Sequence, residues 1–158
     1  MRAKSTLVRD VCRQDVITTG DDTPLDVCAR LMRDHHVGSL VVVEAGRRKP
    51  AGIVTDRDIV VECTASGLAL GGLTAGEIMA TPVATIRDDD DILDALAKMR
   101  ETGARRLPVV NAQGELAGIL AADDLLAVLA EQIDALARVI AAEQTREVTS
   151  RPAVGAAG

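Results

Sequence analysis

The sequence predicts an α/β fold built from two copies of one β-α-β-β-α unit and followed by a C-terminal helix. The segment "GIVTDRDI" at Gly52–Ile59 has a counterpart, "GILAADDL", at Gly118–Leu125. The similarity extends over residues 16–60 and 83–126, with an offset of 67 residues before the turn and 66 after it. A unit of about 50 residues buries little surface alone. The two repeats should therefore pack as one module with pseudo-twofold symmetry.

The first half of each unit indicates a short strand and a helix. β-prone stretches occur at Val16–Thr18 and Val83–Ile86. In the first copy Thr23 should cap the helix, with Pro24 at its first position and Asp26 closing a capping box. Apolar residues then recur at helical spacing. They predict buried faces made of Leu25, Cys28, Leu31 and Met32 in the first copy and of Ile92, Ala95, Leu96 and Met99 in the second.

The second half of each unit indicates two strands around a turn and a closing helix. The strands are "SLVVV" and "AGIVT" in the first copy and "RLPVV" and "ELAGIL" in the second. Their nearly continuous aliphatic character is typical of a sheet covered by helices. We expect repeat 1 over residues 8–66, a linker over 67–75, repeat 2 over 76–127, a helical extension over 128–146 and a disordered tail over 147–158.

The extension carries an apolar stripe that its own repeat cannot bury. Its apolar residues are spaced by 4, 4, 3 and 4 positions, at Leu125, Leu129, Ile133, Leu136 and Ile140. A helix with such a stripe needs a second surface. We expect that surface to be another copy of the chain in a homodimer, and the alternative is that the helix folds back onto its own module.

Composition excludes several classes of function. A net charge of −6 and the absence of Phe, Trp and Tyr argue against general nucleic-acid binding, which uses basic surfaces and aromatic stacking. No apolar run approaches the roughly 20 residues that span a bilayer, so we expect no membrane insertion and a cytoplasmic location. The three cysteines have no metal-ligand spacing, and no catalytic arrangement or phosphate-binding glycine loop occurs. We expect neither a metal site nor an enzyme.

The doubled pattern resembles a known family. The order of elements, together with "MRDHHVGSLVVV", "RRLPVV" and "GIVTDRDI", is similar to the CBS domain, which occurs in pairs called Bateman modules. The resemblance covers roughly residues 8–127, and because no catalytic domain accompanies the pair, the chain resembles the stand-alone bacterial CBS-pair proteins. It implies a regulatory module without catalysis or a required cofactor. Such modules bind AMP, ADP, ATP or another adenosyl ligand, such as S-adenosylmethionine or NAD, in clefts between the repeats, and some regulate a partner protein.

The resemblance also assigns residues to the clefts. It implies that Asp58 binds the ribose hydroxyls, that Thr55 binds the ribose or a phosphate, and that Arg105 and Arg106 bind the phosphates of the same ligand. Pro108 beside the arginines and the aliphatic Ile17 and Val83, which would contact the base, complete the predicted site. The second cleft has Asp124 opposite Gly38 and Ser39, without a hydroxyl at Ala121 or a cation. The expectation is therefore one ligand per chain, in the Thr55 cleft, and a weaker second site.

Structural alternatives exist for each of these assignments. Thr55 and Asp58 also fit a helix capping box, and the arginines fit a solvated strand end. The segment Asp34–His36 and the basic turn Arg47–Lys49 receive no role. At the level of function, the alternative is a protein-interaction or dimerisation module whose clefts are structurally empty.

Overall fold

The structure, a computed structural model, describes residues 6–150 and confirms the two β-α-β-β-α repeats. The first repeat contains β1 Thr18–Thr19, α2 Leu25–Asp34, β2 Ser39–Val43, β3 Pro50–Thr55 and α3 Asp56–Asp58, which continues as a π-helix over Ile59–Thr64. The second contains β4 Ile86–Arg87, α5 Ile92–Thr102, β5 Arg106–Val110, β6 Leu116–Ala121 and α6 Ala122–Ser150. Short helices precede each repeat, namely α1 Val8–Val11, a 3-10 turn at Leu70–Gly72 and α4 Ala75–Ile78.

Each repeat forms one three-stranded sheet with the same topology. In both sheets the first strand pairs parallel to the second, and the third pairs antiparallel to it, giving the orders β1-β2-β3 and β4-β5-β6. The helices cover one face of each sheet, so that two cores form. The first core comprises Leu25, Cys28, Met32, Leu40, Val42, Val54, Ile59, Cys63 and Ala75. The second comprises Val8, Ile86, Ile92, Ala95, Met99, Leu107, Val109, Leu120 and Leu125.

The segments that precede the repeats are exchanged between the cores. Val8 of α1 is fully buried in the second core, and Ala75 of α4 is fully buried in the first. Equivalent isolated bridges fix both ends of the exchange, between Leu7 and Asp91, Pro24 and Thr74, Arg13 and Ile119, and Ile53 and Ala80. The predicted linker over 67–75 is therefore packed structure at its C-terminal end, where Leu70 and Leu73 lie against the first core.

The exchange explains the glycine that opens both copies of the repeated motif. A Cβ on Gly118 would lie 2.8 Å from the carbonyl oxygen of Arg13 and 2.8 Å from the sulfur of Cys12. A Cβ on Gly52 would overlap the side chain of Met79. Since a side chain at either position would collide with the exchanged segment, both strands need glycine for this close approach.

Several predicted boundaries differ from the structure. The strands begin at Thr18 and Ile86, so that Val16–Ile17 and Val83–Thr85 are the lead-in to them. Helix α2 begins at Leu25 with Pro24 as its N-cap and no side-chain cap bond, so the predicted capping by Thr23 and Asp26 is wrong. The carbonyl of Thr23 instead accepts a hydrogen bond of 2.8 Å from the amide of Ala75. The exchanged segment thus forms a hydrogen bond with the backbone at the residue where the helix was expected to start.

Helix α6 is longer than the sequence indicates. Its 29 residues reach Ser150, which corrects the predicted start of disorder at 147, and it is about 44 Å long at 1.5 Å per residue. The hydroxyls of Thr145, Thr149 and Ser150 donate to carbonyls four residues earlier, so these polar residues are accommodated inside the helix. The rest of the predicted tail, 151–158, lies outside the described residues. Within 6–150, no helix combines the length and hydropathy needed to cross a membrane.

Candidate functional site

A cavity of about 220 Å³ lies between the two repeats, at the point where β6 passes into α6. The first repeat contributes the chain before β1 and the turn between α2 and β2. The second repeat contributes the edges of β5 and β6 and the first turn of α6. The lining residues are Arg13, Asp15, Val16, Ile17, His36, Val37, Gly38, Ser39, Arg106, Ile119, Ala121, Asp123 and Asp124. The cavity is thus the cleft that the sequence assigns to the weaker site.

Asp124 is the carboxylate held most firmly in this cavity. It lies in the first turn of α6, and its side chain is only 16% exposed. One oxygen, Oδ2, accepts a hydrogen bond of 3.0 Å from the amide of Ala121. The other, Oδ1, is 3.6 Å from Nε of the mostly exposed Arg13. One oxygen therefore caps the helix, while the other can accept hydrogen bonds from a ligand.

The two neighbouring arginines have different positions. Arg106, the first residue of β5, is half-buried and lines the cavity, and its Nη2 is 3.5 Å from the position that a Cβ on Gly38 would occupy. Arg105 is 80% exposed, forms a surface ion pair of 3.6 Å with Asp123, and is not part of the lining. The expectation that the cleft of Asp124 lacks cations is therefore wrong, because Arg106 reaches across from the second repeat to Gly38.

Aliphatic side chains form the apolar wall of the cavity. Ile17, which the sequence predicts for the base pocket, lines it together with Val16, Val37 and Ile119. His36 lies at its edge with a φ of 53°. A left-handed backbone is uncommon for residues other than glycine. Histidine is one of the few residue types that adopt it more often than the rest. His36 has no role predicted from the sequence, because its position after a helix carries no signal that it borders a cavity.

Thr55 and Asp58 form a complete capping box at the start of α3. The amide and the hydroxyl of Thr55 donate to Oδ2 of Asp58 at 2.8 and 2.7 Å, and the amide of Asp58 donates to the Thr55 hydroxyl at 3.1 Å. The capping box, which is the structural alternative to a ligand role for this pair, is therefore present in the molecule. A ligand role is compatible with it, because Oδ1 of Asp58 takes no part in these three bonds.

The remaining predicted residues lie outside the cavity. Thr55, Asp58, Arg105, Pro108 and Val83 are absent from its lining. Pro108 is fully buried at the centre of β5, so it has no exposed surface to offer a ligand. Val83 is half-buried before β4. The cavity therefore combines Ile17, Arg106 and Asp124, which the sequence assigned to two different clefts.

All three thiols are at least partly buried. Burial raises the pKa of the Cys12 thiol, with a further contribution from the negative charge of Asp88, and burial likewise raises the pKa of Cys28. A raised pKa lowers the thiolate fraction and hence the reactivity. Among residues 6–150, no group of three or more His, Cys, Asp or Glu side chains is placed to hold a metal ion.

Comparison with known sequences assigns the family. The sequence profile of the CBS domain matches twice, over residues 8–64 and 75–131. The chain belongs to the CBS-domain family. The two matches correspond to the two repeats, so the molecule is a CBS pair. The second match ends at residue 131, where α6 leaves the repeat and continues to Ser150.

Two related proteins illustrate the resemblance. This CBS pair is 37% identical over 125 residues to MK0525 of Methanopyrus kandleri, a match that covers 79% of this chain and 63% of MK0525. The chain thus spans less than two thirds of that relative. Hypoxic response protein 1 of Mycobacterium tuberculosis is 32% identical over 120 residues, covering 76% of this chain and 82% of that protein.

Solved structures of CBS pairs are similar to this fold. Hypoxic Response Protein I, solved with two coordinated zinc ions, has a TM-score of 0.68 at 32% identity and covers 77% of this chain and 97% of its own. PAE2072 from Pyrobaculum aerophilum, complexed with AMP, has a TM-score of 0.72 at 28% identity, and the match covers 80% of this chain and 97% of PAE2072. The CBS pair of MJ0100, in complex with 5'-methylthioadenosine and S-adenosyl-L-methionine, has a TM-score of 0.72 at 25% identity. This match covers 81% of this chain and 98% of the MJ0100 chain.

Proposed function

We propose that this CBS pair is a non-catalytic regulatory module that binds an adenine nucleotide, or another adenosyl ligand, in the cavity between its repeats. The observation that carries the proposal is the convergence of Asp124, Arg106 and an aliphatic wall in one cavity. The AMP complex of PAE2072 and the S-adenosyl-L-methionine complex of MJ0100 support the ligand class.

Each part of an adenine nucleotide has a partner in the cavity. Oδ1 of Asp124, which lies 3.6 Å from Nε of the mostly exposed Arg13, would accept hydrogen bonds from ribose hydroxyls. Arg106 would donate to a phosphate, and both contacts would be charge-assisted bonds. Aliphatic side chains such as Ile17 would contact the faces of the base. Pockets for drug-sized ligands usually measure about 300–1,000 Å³, and this one measures about 220 Å³. The phosphate would therefore lie towards the open edge, beside Arg13.

The difference between Thr55 and Ala121 also favours this cavity. At Asp58, Oδ2 accepts both the amide and the hydroxyl of Thr55. At Asp124, Oδ2 accepts the amide of Ala121 alone. Oδ2 of Asp124 therefore accepts one hydrogen bond fewer than Oδ2 of Asp58 and has more acceptor capacity left for a ligand. We propose the Asp124 cavity as the main site, which reverses the order expected from the sequence, while binding in the Thr55 cleft stays a prediction.

A ligand screen tests the proposal. AMP, ADP, ATP, NAD and S-adenosylmethionine would each be added to the intact chain and the unfolding temperature measured. A ligand present at 100 times its dissociation constant stabilises the folded state by about 2.7 kcal/mol, which raises the unfolding temperature by several degrees for a chain of this size. No shift with any of the five, at millimolar concentration, would contradict the proposal.

The second candidate function is a dimerisation or protein-interaction module with structurally empty clefts. The observation that favours it is the row of exposed aliphatic side chains along α6, which includes Ile133, Leu136 and Ile140. The two functions are compatible, and we propose that the ligand-binding module is a homodimer that regulates a further protein. The same screen separates the two candidates, because an empty-cleft module would show no ligand-dependent stabilisation.

A further inference from the structure

Helix α6 changes its surroundings between two adjacent leucines. Leu125 is 2% exposed and belongs to the second core, whereas Leu126 is 68% exposed. Beyond Leu126, the aliphatic residues Ile133, Leu136 and Ile140 are between 51% and 68% exposed. Most of a helix about 44 Å long thus extends beyond the core with an apolar face uncovered. Helices in proteins owe most of their stability to packing of such a face.

Four exposed residues and the half-buried Leu129 follow the spacing of a coiled coil. Because Leu125 is buried in the second core, the row begins at Leu126, and its members are separated by 3, 4, 3 and 4 residues. This is the heptad pattern that places every member on one seam between two helices. We call this row the α6 seam, and its members are Leu126, Leu129, Ile133, Leu136 and Ile140.

We infer that the α6 seam packs antiparallel against the α6 seam of a second copy of this chain. The inference concerns the proposed self-association and does not depend on ligand binding. The next two seam positions along the helix are Glu143 and Glu147. A parallel pair would place each of these carboxylates opposite its identical partner, which is unfavourable. An antiparallel pair moves them to opposite ends of the interface.

The antiparallel arrangement also places the acidic end of the helix beside a basic groove. A groove lies between α5 and the start of α6, lined by Leu96, Arg100, Arg105 and Ala122 among others. Its lining, taken from the described residues, contains these two arginines and no carboxylate, and Arg105 also forms its surface ion pair with Asp123 outside the lining. Ala122 is one turn before Leu126, on the same face of α6, so the groove continues the seam.

One register satisfies both the seam and the groove. It pairs Ile133 with the partner's Leu136, Leu129 with the partner's Ile140, and Leu126 with the partner's Glu143. Glu143 and Glu147 then lie near the partner's Arg100 and Arg105. The groove and the exposed Leu96, at 42%, are covered at the same time. A second copy of the chain therefore matches the apolar positions in the middle of the seam, while Leu126 and Glu143 meet at its two ends, where the two glutamates lie near the two arginines.

Sedimentation velocity over a range of concentrations tests the contact. Ile133→Glu places a carboxylate in the middle of the seam and should raise the dissociation constant of the dimer at least about hundredfold, the penalty of an unpaired buried charge. Ala135→Glu, the matched control, adds the same charge on the opposite face of the helix and should leave the dimer unchanged. Circular dichroism would verify that both variants are folded. A wild-type chain that is monomeric throughout would overturn both the homodimer and the inference.

Cross-linking under mild oxidation tests the orientation. A mixture of Leu126→Cys and Glu143→Cys chains should form a disulfide-linked dimer, while Leu126→Cys alone should not, because its two copies lie about 25 Å apart in the antiparallel pair at 1.5 Å per residue. The unmodified chain, with Cys12, Cys28 and Cys63, gives the background. Self-linking of Leu126→Cys would show a parallel pair. A dimer by sedimentation that neither sample cross-links would retain the homodimer and overturn the seam as its contact.

Discussion

Replacing Arg106 by alanine should weaken binding of AMP and spare binding of adenosine. Arg106 lines the cavity beside Gly38 and is proposed to donate hydrogen bonds to the phosphate. Hydrogen bonds to charged groups contribute about 1.5–3 kcal/mol, which corresponds to about a 10- to 150-fold increase in the dissociation constant. Adenosine has no phosphate, so its dissociation constant should change by less than about threefold. Calorimetric titration of both ligands measures the two changes.

Arg105→Ala is the matched control for that experiment. Arg105 is the preceding residue with the same charge, but it is 80% exposed and does not line the cavity. Its removal should leave the affinities for AMP and adenosine nearly unchanged. Equal weakening of AMP binding by the two variants would contradict a phosphate contact by Arg106, since it would show a general electrostatic effect. Equal weakening of AMP and adenosine by Arg106→Ala would show that Arg106 does not contact the phosphate.

Three further predictions concern stability and reactivity. Gly118→Ala should lower the free energy of unfolding by about 1–3 kcal/mol, because its new methyl meets the backbone oxygen of Arg13 as well as the sulfur of Cys12. Gly52→Ala should cost less, because the atoms nearest to its new methyl belong to the flexible side chain of Met79. Urea denaturation checks this difference, and equal losses would contradict it. Thr55→Ala should cost about 0.5–2 kcal/mol of folding stability by removing the hydroxyl that caps the helix. Thr55→Ser keeps the hydroxyl and should cost less, and a larger loss for serine would argue against the cap. The raised pKa of Cys12 predicts slow thiol labelling at pH 8 that accelerates as the pH rises towards and beyond the ordinary thiol pKa; labelling as fast in the folded chain as in urea would disprove this.

The repeat and the order of elements could be predicted because they depend on local patterns. The helical spacing that ends at Met32 and Met99 correctly identified the two buried helix faces, except for Leu96, which is exposed. The exchange of α1 and α4 between the cores could not be predicted. It depends on contacts between segments far apart in the chain, such as that of Val8 with the second core.

The sequence analysis placed Arg105 and Arg106 together in one cleft, whereas the structure separates them for a reason that the sequence already contained. Arg105 and Arg106 are adjacent at the start of a strand, and adjacent residues of a strand point to opposite faces. One of them, Arg106, could therefore reach the cavity while Arg105 stayed on the surface. The difference in burial between Leu125 and Leu126, by contrast, could not be predicted from the sequence. Both fit a helical stripe, and only the packing of the second core decides which of them it buries.

Calorimetric titration of AMP into the wild-type, Asp124→Asn and Asp58→Asn chains tests the central proposal most directly. Asparagine can still accept the amide hydrogen bond of Ala121, so Asp124→Asn removes the charge while it keeps the helix cap. The proposal predicts one strong site per chain, weakened about 10- to 150-fold by Asp124→Asn through the loss of charge-assisted bonds and nearly unchanged by Asp58→Asn. Binding that Asp58→Asn weakens and Asp124→Asn does not would place the ligand in the Thr55 cleft and contradict the account.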